Sequence, residues 1–126
     1  MKIKVSEAIG QVLDWMVAKC EGFDAIGYEK SRLAFHVNRP RPTDDAQPRR
    51  YQPSTNWAQG GPIIEKEGIS IKRRSESGNR WVSTNFTKDS YGIMTDGPTP
   101  LIAAMRCFVV SKLGDEVEVP EELCQT

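Results

Sequence analysis

One histidine, His36, and three scattered cysteines, Cys20, Cys107 and Cys124, are all that this 126-residue chain offers in soft metal ligands. No CxxC pair is present, so the familiar spacings give no zinc ligand set. An odd count of thiols in so small a chain fits reduced cysteines in a cytoplasm. A Ser-His-Asp or Cys-His device would have to use His36, which lies beside a proline-rich stretch; an ordinary surface or strand histidine explains it more simply. No P-loop or dinucleotide fingerprint occurs, and Gly60-Gly61 is too little to count as one. Acids are plentiful, but no spacing among them points to a metal or a cofactor. No run approaches the ~18 apolar residues of a membrane span. No apolar core of signal-peptide length follows Met1–Val5. Excess charge is missing too: 17 basic residues stand against 17 acidic ones. A general electrostatic grip on nucleic acid needs a surplus of Lys and Arg, so the balance weighs against a nucleic-acid partner.

What is present reads as one domain over residues 1–126, long enough to bury a core. Its centre is the stretch Gly97–Gly114. Thr99 suits an N-cap, and Pro100 suits the first helical position, where its missing N–H costs nothing. Gly114 can end the helix, with Lys112 near the negative end of the dipole. Between those ends only Arg106, Ser111 and Lys112 are polar. A helix apolar on most of its circumference is buried on more than one side, so this segment is expected to be the core helix. Cys107 then packs as a small apolar group.

Before it, Ile3 and Val5 alternate with Lys2 and Lys4 as in a short strand. Ser6 is expected to cap a helix with a buried stripe at Ile9, Val12, Leu13 and Met16, ended by Gly22, with Trp15 at the stripe's margin. Leu33–Val37 reads as a strand. Residues 38–50 combine three prolines with many charges and read as a long flexible loop. Ser54 or Thr55 is expected to cap a helix ended by Gly68. Inside it, Gly60 and Gly61 cost ~1 kcal/mol each and Pro62 ~3 kcal/mol. The helix therefore starts at Pro62, is kinked there, or is continuous and lets another backbone or a ligand come close. Ile69–Arg73 and Arg80–Phe86 form a hairpin. Val117 and Val119 suggest a last strand, and Pro120–Leu123 a helical turn. The order predicts an α+β fold: an antiparallel-dominated sheet with helices packed on it, like an α/β/α sandwich.

Three pieces carry a family resemblance: Leu13–Lys19, the run Tyr51–Glu65 with its Pro53-Ser54-Thr55-Asn56-Trp57 core, and Gly97–Leu123. They resemble the NinX-like family of small proteins from lambdoid phages and related prophages. The usual acid of the Pro-Ser-Thr-Asp-Trp motif is Asn56 here, which keeps a capping group and removes a charge. The resemblance implies a phage or prophage origin, a three-layer α/β/α architecture and expression in the cytoplasm of a bacterial host. It transfers no activity to any residue. Small phage accessory proteins often counter host defence, an expectation that belongs to the genomic setting.

The candidate site runs from Arg49 to Gly61. It offers rings at Tyr51 and Trp57, hydroxyls at Ser54 and Thr55, amides at Asn56 and Gln59, and bare backbone at Gly60 and Gly61. A helix start supplies N–H groups and partial positive charge for phosphate or carboxylate, and Arg49 and Arg50 precede it. The same residues can equally be caps and packing. Arg106, alone on an apolar helix, is expected to reach an edge, an acid or a ligand. The first functional expectation is a non-catalytic protein that binds a small anionic or nucleotide-like ligand, such as a host immune signal. The second is a protein-interaction module. A nucleotide-cleaving enzyme ranks third, because His36 would have to do too much. A homo-oligomer is expected from the double-glycine helix and the apolar hairpin.

Overall fold

Helix α3, Pro100–Leu113, is the element on which the others pack. Thr99 caps it, its hydroxyl accepting the Ile102 N–H at 3.1 Å. At the other end the Gly114 N–H donates to the Val110 carbonyl, and Gly114 takes a φ of 90°. Residues 101–109 are all buried, Arg106 among them. The core helix is thus as expected, with both ends closed by the residues that signalled them.

The computed structural model describes residues 1–22, 24–29, 34–38, 51–74, 80–85 and 92–124, and of residues 24–29, 34–38, 122 and 124 the backbone alone. The chain opens with β1, Lys2–Lys4, followed by a 3-10 turn at Val5–Glu7. Helix α1 spans Gly10–Glu21 and ends at Gly22 in the left-handed conformation. Ser6 does not cap it: Ser6 lies in the 3-10 turn, and Ile9 holds the N-cap position without a side-chain bond. Ile9, expected in the buried stripe, is 56% exposed; the buried face of α1 starts only at Leu13, far enough downstream for a separate turn to form first.

Strands β2, Asp24–Glu29, and β3, Ala34–Asn38, form an antiparallel hairpin. The expected strand at 33–37 is β3, shifted by one residue; β2 has no clear sequence signal. Of the loop expected at 38–50, Asn38 is instead the last residue of β3, and residues 39–50 lie outside the described residues. Helix α2, Trp57–Glu67, is continuous through Gly60, Gly61 and Pro62, and Gly68 ends it. Its cap is Asn56, whose side chain accepts the Ala58 N–H at 2.9 Å, rather than Ser54 or Thr55. Those two lie within the turn whose N–H groups return to the Gln52 carbonyl.

The hairpin β4, Ser70–Arg74, and β5, Arg80–Asn85, is present. A third strand, β6, Ile93–Gly97, joins β5 and makes an antiparallel sheet of order β4-β5-β6. Its polar Thr95 and Asp96 give it no strand alternation of its own. Strand β7, Glu116–Glu118, pairs with β1, and a turn of helix α4, Glu121–Cys124, follows. The fold is mixed α+β with antiparallel sheets and a helix packed on them.

Register explains the layering. Ile71, Ser83 and Thr95 stand in one cross-strand row, and Arg73, Trp81 and Gly97 in another on the same face. That face meets α3. A Cβ on Gly97 would lie 2.8 Å from the Ala103 amide nitrogen, so only glycine permits so close an approach. Thr95 donates its hydroxyl proton to the Ala103 carbonyl at 2.8 Å. Helices α1 and α2 also pack on α3, and this double coverage is why nearly every residue of α3 is buried. The opposite sheet face carries Lys72, Arg74, Arg80 and Met94, all exposed, with Met94 at 72%.

Candidate functional site

The segment from Tyr51 to Gly61 divides into an inner and an outer half. Tyr51, Pro53, Ser54 and Gly60 are buried; Thr55, Trp57 and Ala58 are exposed, and Trp57 keeps 55% of its surface open. Local bonds produce that division. The Thr55 and Asn56 N–H groups donate to the Gln52 carbonyl, closing a tight turn. Gln59 reaches back, its Oε1 accepting the Gln52 N–H at 2.7 Å. Asn56 satisfies the start of α2. Gly60 lies directly against the turn: a Cβ there would sit 2.5 Å from the Pro53 carbonyl oxygen and 2.6 Å from Leu101 Cδ2. One of the alternatives left open for the glycine pair therefore applies at Gly60, and the backbone that comes close is Pro53. Gly61 has nothing within 4 Å of an added Cβ.

Beneath the turn lies Asp14, a residue that sequence reasoning passed over. It sits on α1, only 4% exposed, and one carboxyl oxygen accepts the Ser54 N–H at 2.8 Å. Burial pushes this carboxyl from its ordinary 3.8 up to about 7, against a smaller downward pull from the Ser54 hydroxyl and N–H. Ser54 Oγ is sealed as well, beside that carboxyl. A sequence signal for Asp14 existed. Positions three and four residues on are Val17 and Ala18, so helical spacing places the acid on the buried face.

The expected site residues do not all converge. Arg49 and Arg50 lie outside the described residues. Arg106 is 4% exposed and committed elsewhere: Nε donates to the Ala8 carbonyl at 3.0 Å and an η-nitrogen to the Asp96 carbonyl at 2.8 Å. It joins the approach to α1 to strand β6. Burial lowers its pKa while the neighbouring Asp96 charge raises it. Asp96 is itself paired with Arg80 at 2.7 Å, and that bond holds its carboxyl below the ordinary range. Trp81 stands half-buried on the α3 side of the sheet, and Lys19 lies over the Trp15 ring at 5.1 Å.

Among the described residues, two of the concavities are open to solvent. One, about 210 Å³, lies beside α2 and is lined by Glu21, Tyr51, Ala58, Gln59, Pro62, Ile63 and Lys66. The other, about 640 Å³, lies between β6 and the β1–β7 pair, with Lys4, Arg74, Asp96, Asp115 and Glu116 on its walls. Charges of both signs line each one. Among the described residues no group of His, Cys, Asp and Glu is placed to hold a metal ion, and no helix is long and apolar enough to cross a membrane.

No curated protein matches the chain. The model of one family, described as bacteriophage P22 NinX, matches residues 4–112, from the end of β1 almost to the end of α3. That span takes in the Asp14 helix, the Ser54 turn and the capped α2 together, and this chain belongs to the P22 NinX family of phage proteins.

Proposed function

We propose that this phage protein is a non-catalytic interaction module that docks a host or phage protein on the outward face of α2. The observation that carries the reading is the difference between its two helical glycines. Gly60 is explained from inside, because the Pro53 carbonyl leaves no room for a side chain. Gly61 is not, because the space above it is open. It forgoes ~1 kcal/mol of helix stability with no internal contact in return. A glycine at that position lets a partner's chain approach the helix backbone from outside. Trp57, one turn earlier and half exposed, supplies a large anchor with a polar edge, the kind of side chain that dominates binding energy. Ala58 and Pro62, both exposed, keep the rest of the face short.

Capture of a small anionic or nucleotide-like ligand is a second reading, supported by the cleft beside Tyr51, Gln59 and Lys66. Its chemistry is thinner, since Asn56 already occupies the Ala58 N–H and Arg106 lies in the core.

Affinity capture from infected cells tests the docking reading with the wild-type chain, Trp57→Ala, Gly61→Lys, and a sheet-face control, Met94→Lys. One partner should be held by wild type and control and lost from both α2 variants. An identical set of proteins on all four baits would refute the reading. Thermal shift against nucleotides and cyclic nucleotides tests the cleft; a shift abolished by Lys66→Ala would move the function there. Docking of a second copy on the same face would appear in light scattering as a dimer that Trp57→Ala dissociates.

A further inference from the structure

We propose that the groove between β6 and the β1–β7 pair is where a second copy of this chain docks, about a twofold axis running along the groove. The surface is separate from the α2 face, since no residue of α2 lines it.

The two walls of the groove carry opposite charge. On the sheet wall stands Arg74, with Arg80 directly opposite it across β4 and β5. Like charges so placed repel, and the one acid there, Asp96, pairs with Arg80 at 2.7 Å. A positive charge is left over. On the other wall Asp115 and Glu116 stand against one base, Lys4, which faces Glu116 in the β1–β7 register. A negative charge is left over. Arg74 and Asp115 are both exposed, and neither joins an ion pair among the described residues. A ligand of one sign would be repelled by one of the walls. The fitting occupant carries both signs at the spacing of the groove, and a second copy carries them there. Symmetry then fixes the axis. A twofold axis along the groove lays the sheet wall of each copy on the β1–β7 wall of the other, whereas an axis across it would oppose like charges.

The rest of the surface has the anatomy of an interface, with an apolar middle and a charged rim. Val82 and Val110 line the groove half-buried. Met94, beside them, keeps 72% of its surface open, the most of the large apolar side chains among the described residues. Strand β6 has β5 as its one sheet neighbour among the described residues, and an open strand edge invites another chain. The chain's 17 basic and 17 acidic residues cancel, so no net charge drives two copies apart.

Sedimentation and light scattering of the full-length chain from about 10 μM to about 1 mM test the pairing. The mass should climb from one chain to two, and the pair should loosen between about 50 mM and about 500 mM salt. Arg74→Glu and Asp115→Lys should each weaken it about tenfold or more, because each sets like charges against each other twice. Mixing those two variants in equal amounts should restore a pair, since every negative wall then meets a positive one. The double variant, Arg74→Glu with Asp115→Lys in one chain, should pair with itself for the same reason, and urea unfolding checks that all three fold. A wild type that stays a single chain at every concentration, a single variant that pairs as well as wild type, or single chains in both the mixture and the double variant would each overturn the proposal. Trp57→Ala should leave the pair intact, so a dimer lost with Trp57 and kept with both charge reversals would place self-association on α2 and overturn the groove. Failure here leaves docking of a partner on α2 standing, and failure of the capture experiment leaves the pairing interpretable.

Discussion

Replacing the adjacent glycines of α2 one at a time should change stability in opposite directions. Alanine in a helix interior gains about 1 kcal/mol over glycine at either position, from backbone entropy alone. At Gly61 nothing opposes the gain, because no atom lies within 4 Å of the new methyl. Gly61→Ala should therefore stabilise the protein by about 1 kcal/mol. At Gly60 the methyl would sit 2.5 Å from the Pro53 carbonyl oxygen and 2.6 Å from Leu101 Cδ2. The leucine can rotate, but the carbonyl cannot, since the next residue's N–H is anchored on Asp14 and the turn is closed by Gln52. Overpacking of this kind costs ~1–3 kcal/mol, and a rigid backbone neighbour places it at the upper end. Subtracting the helix gain leaves Gly60→Ala destabilised by about 1–2 kcal/mol, a gap of about 2–3 kcal/mol between the neighbours. In a domain of this size 1 kcal/mol corresponds to roughly 3–5 °C in Tm. Urea and thermal unfolding of the two variants would read it directly. Equal shifts of the same sign, or a stabilised Gly60→Ala, would show that the helix does not press on the Pro53 turn. Gly61→Ala carries a second expectation: a more stable protein that holds its partner less well.

Arg106→Met should cost about 2–4 kcal/mol in chemical denaturation, because it removes two charge-assisted bonds and strands the Ala8 and Asp96 carbonyls. Asn56→Ala should lose about 1 kcal/mol with the α2 cap, whereas Asn56→Asp, the residue usual in the family motif, should keep the cap and gain about 0.5 kcal/mol from the helix dipole. Stability should fall as pH rises between 3.8 and about 7. In that window the folded state keeps the Asp14 proton and the unfolded state has lost it, so the contribution is complete below 3.8 and gone above about 7. A shift of this size corresponds to about 4 kcal/mol at most. Asp14→Asn should remove the slope and exceed wild type at alkaline pH. Arg80→Ala should change stability by less than about 0.5 kcal/mol, because its bond to Asp96 is exposed to solvent.

Much of the element order could be read in advance, and the exceptions have physical causes. Thr99, Pro100 and Gly114 bounded the core helix; Gly22 and Gly68 stopped the other two. The β4–β5 hairpin and the β1 and β7 strands came from alternation over a few residues. Strand β6 did not, because Ile93–Gly97 includes the polar Thr95 and Asp96; it is a strand through its pairing with β5 and the seat of Gly97 on α3. Ser54 or Thr55 looked like the cap, and Asn56 is the cap. The turn on Gln52 took them first, and one residue further on the backbone was free to start a helix. Of the candidate site, Trp57, Thr55 and Gly61 face outward, while Tyr51, Ser54, Gly60 and Arg106 are inside and Arg49 and Arg50 lie outside the described residues.

Local chemistry settled where α3 begins and where α1, α2 and α3 end, since a cap or a stop glycine meets its partner within a few residues. It could not settle which polar groups go inside. Asp14 meets Ser54 across 40 positions, and Arg106 meets Ala8 across 98. Whether a buried charge is tolerated depends on the donors and acceptors that packing brings to it, and those come from distant parts of the chain.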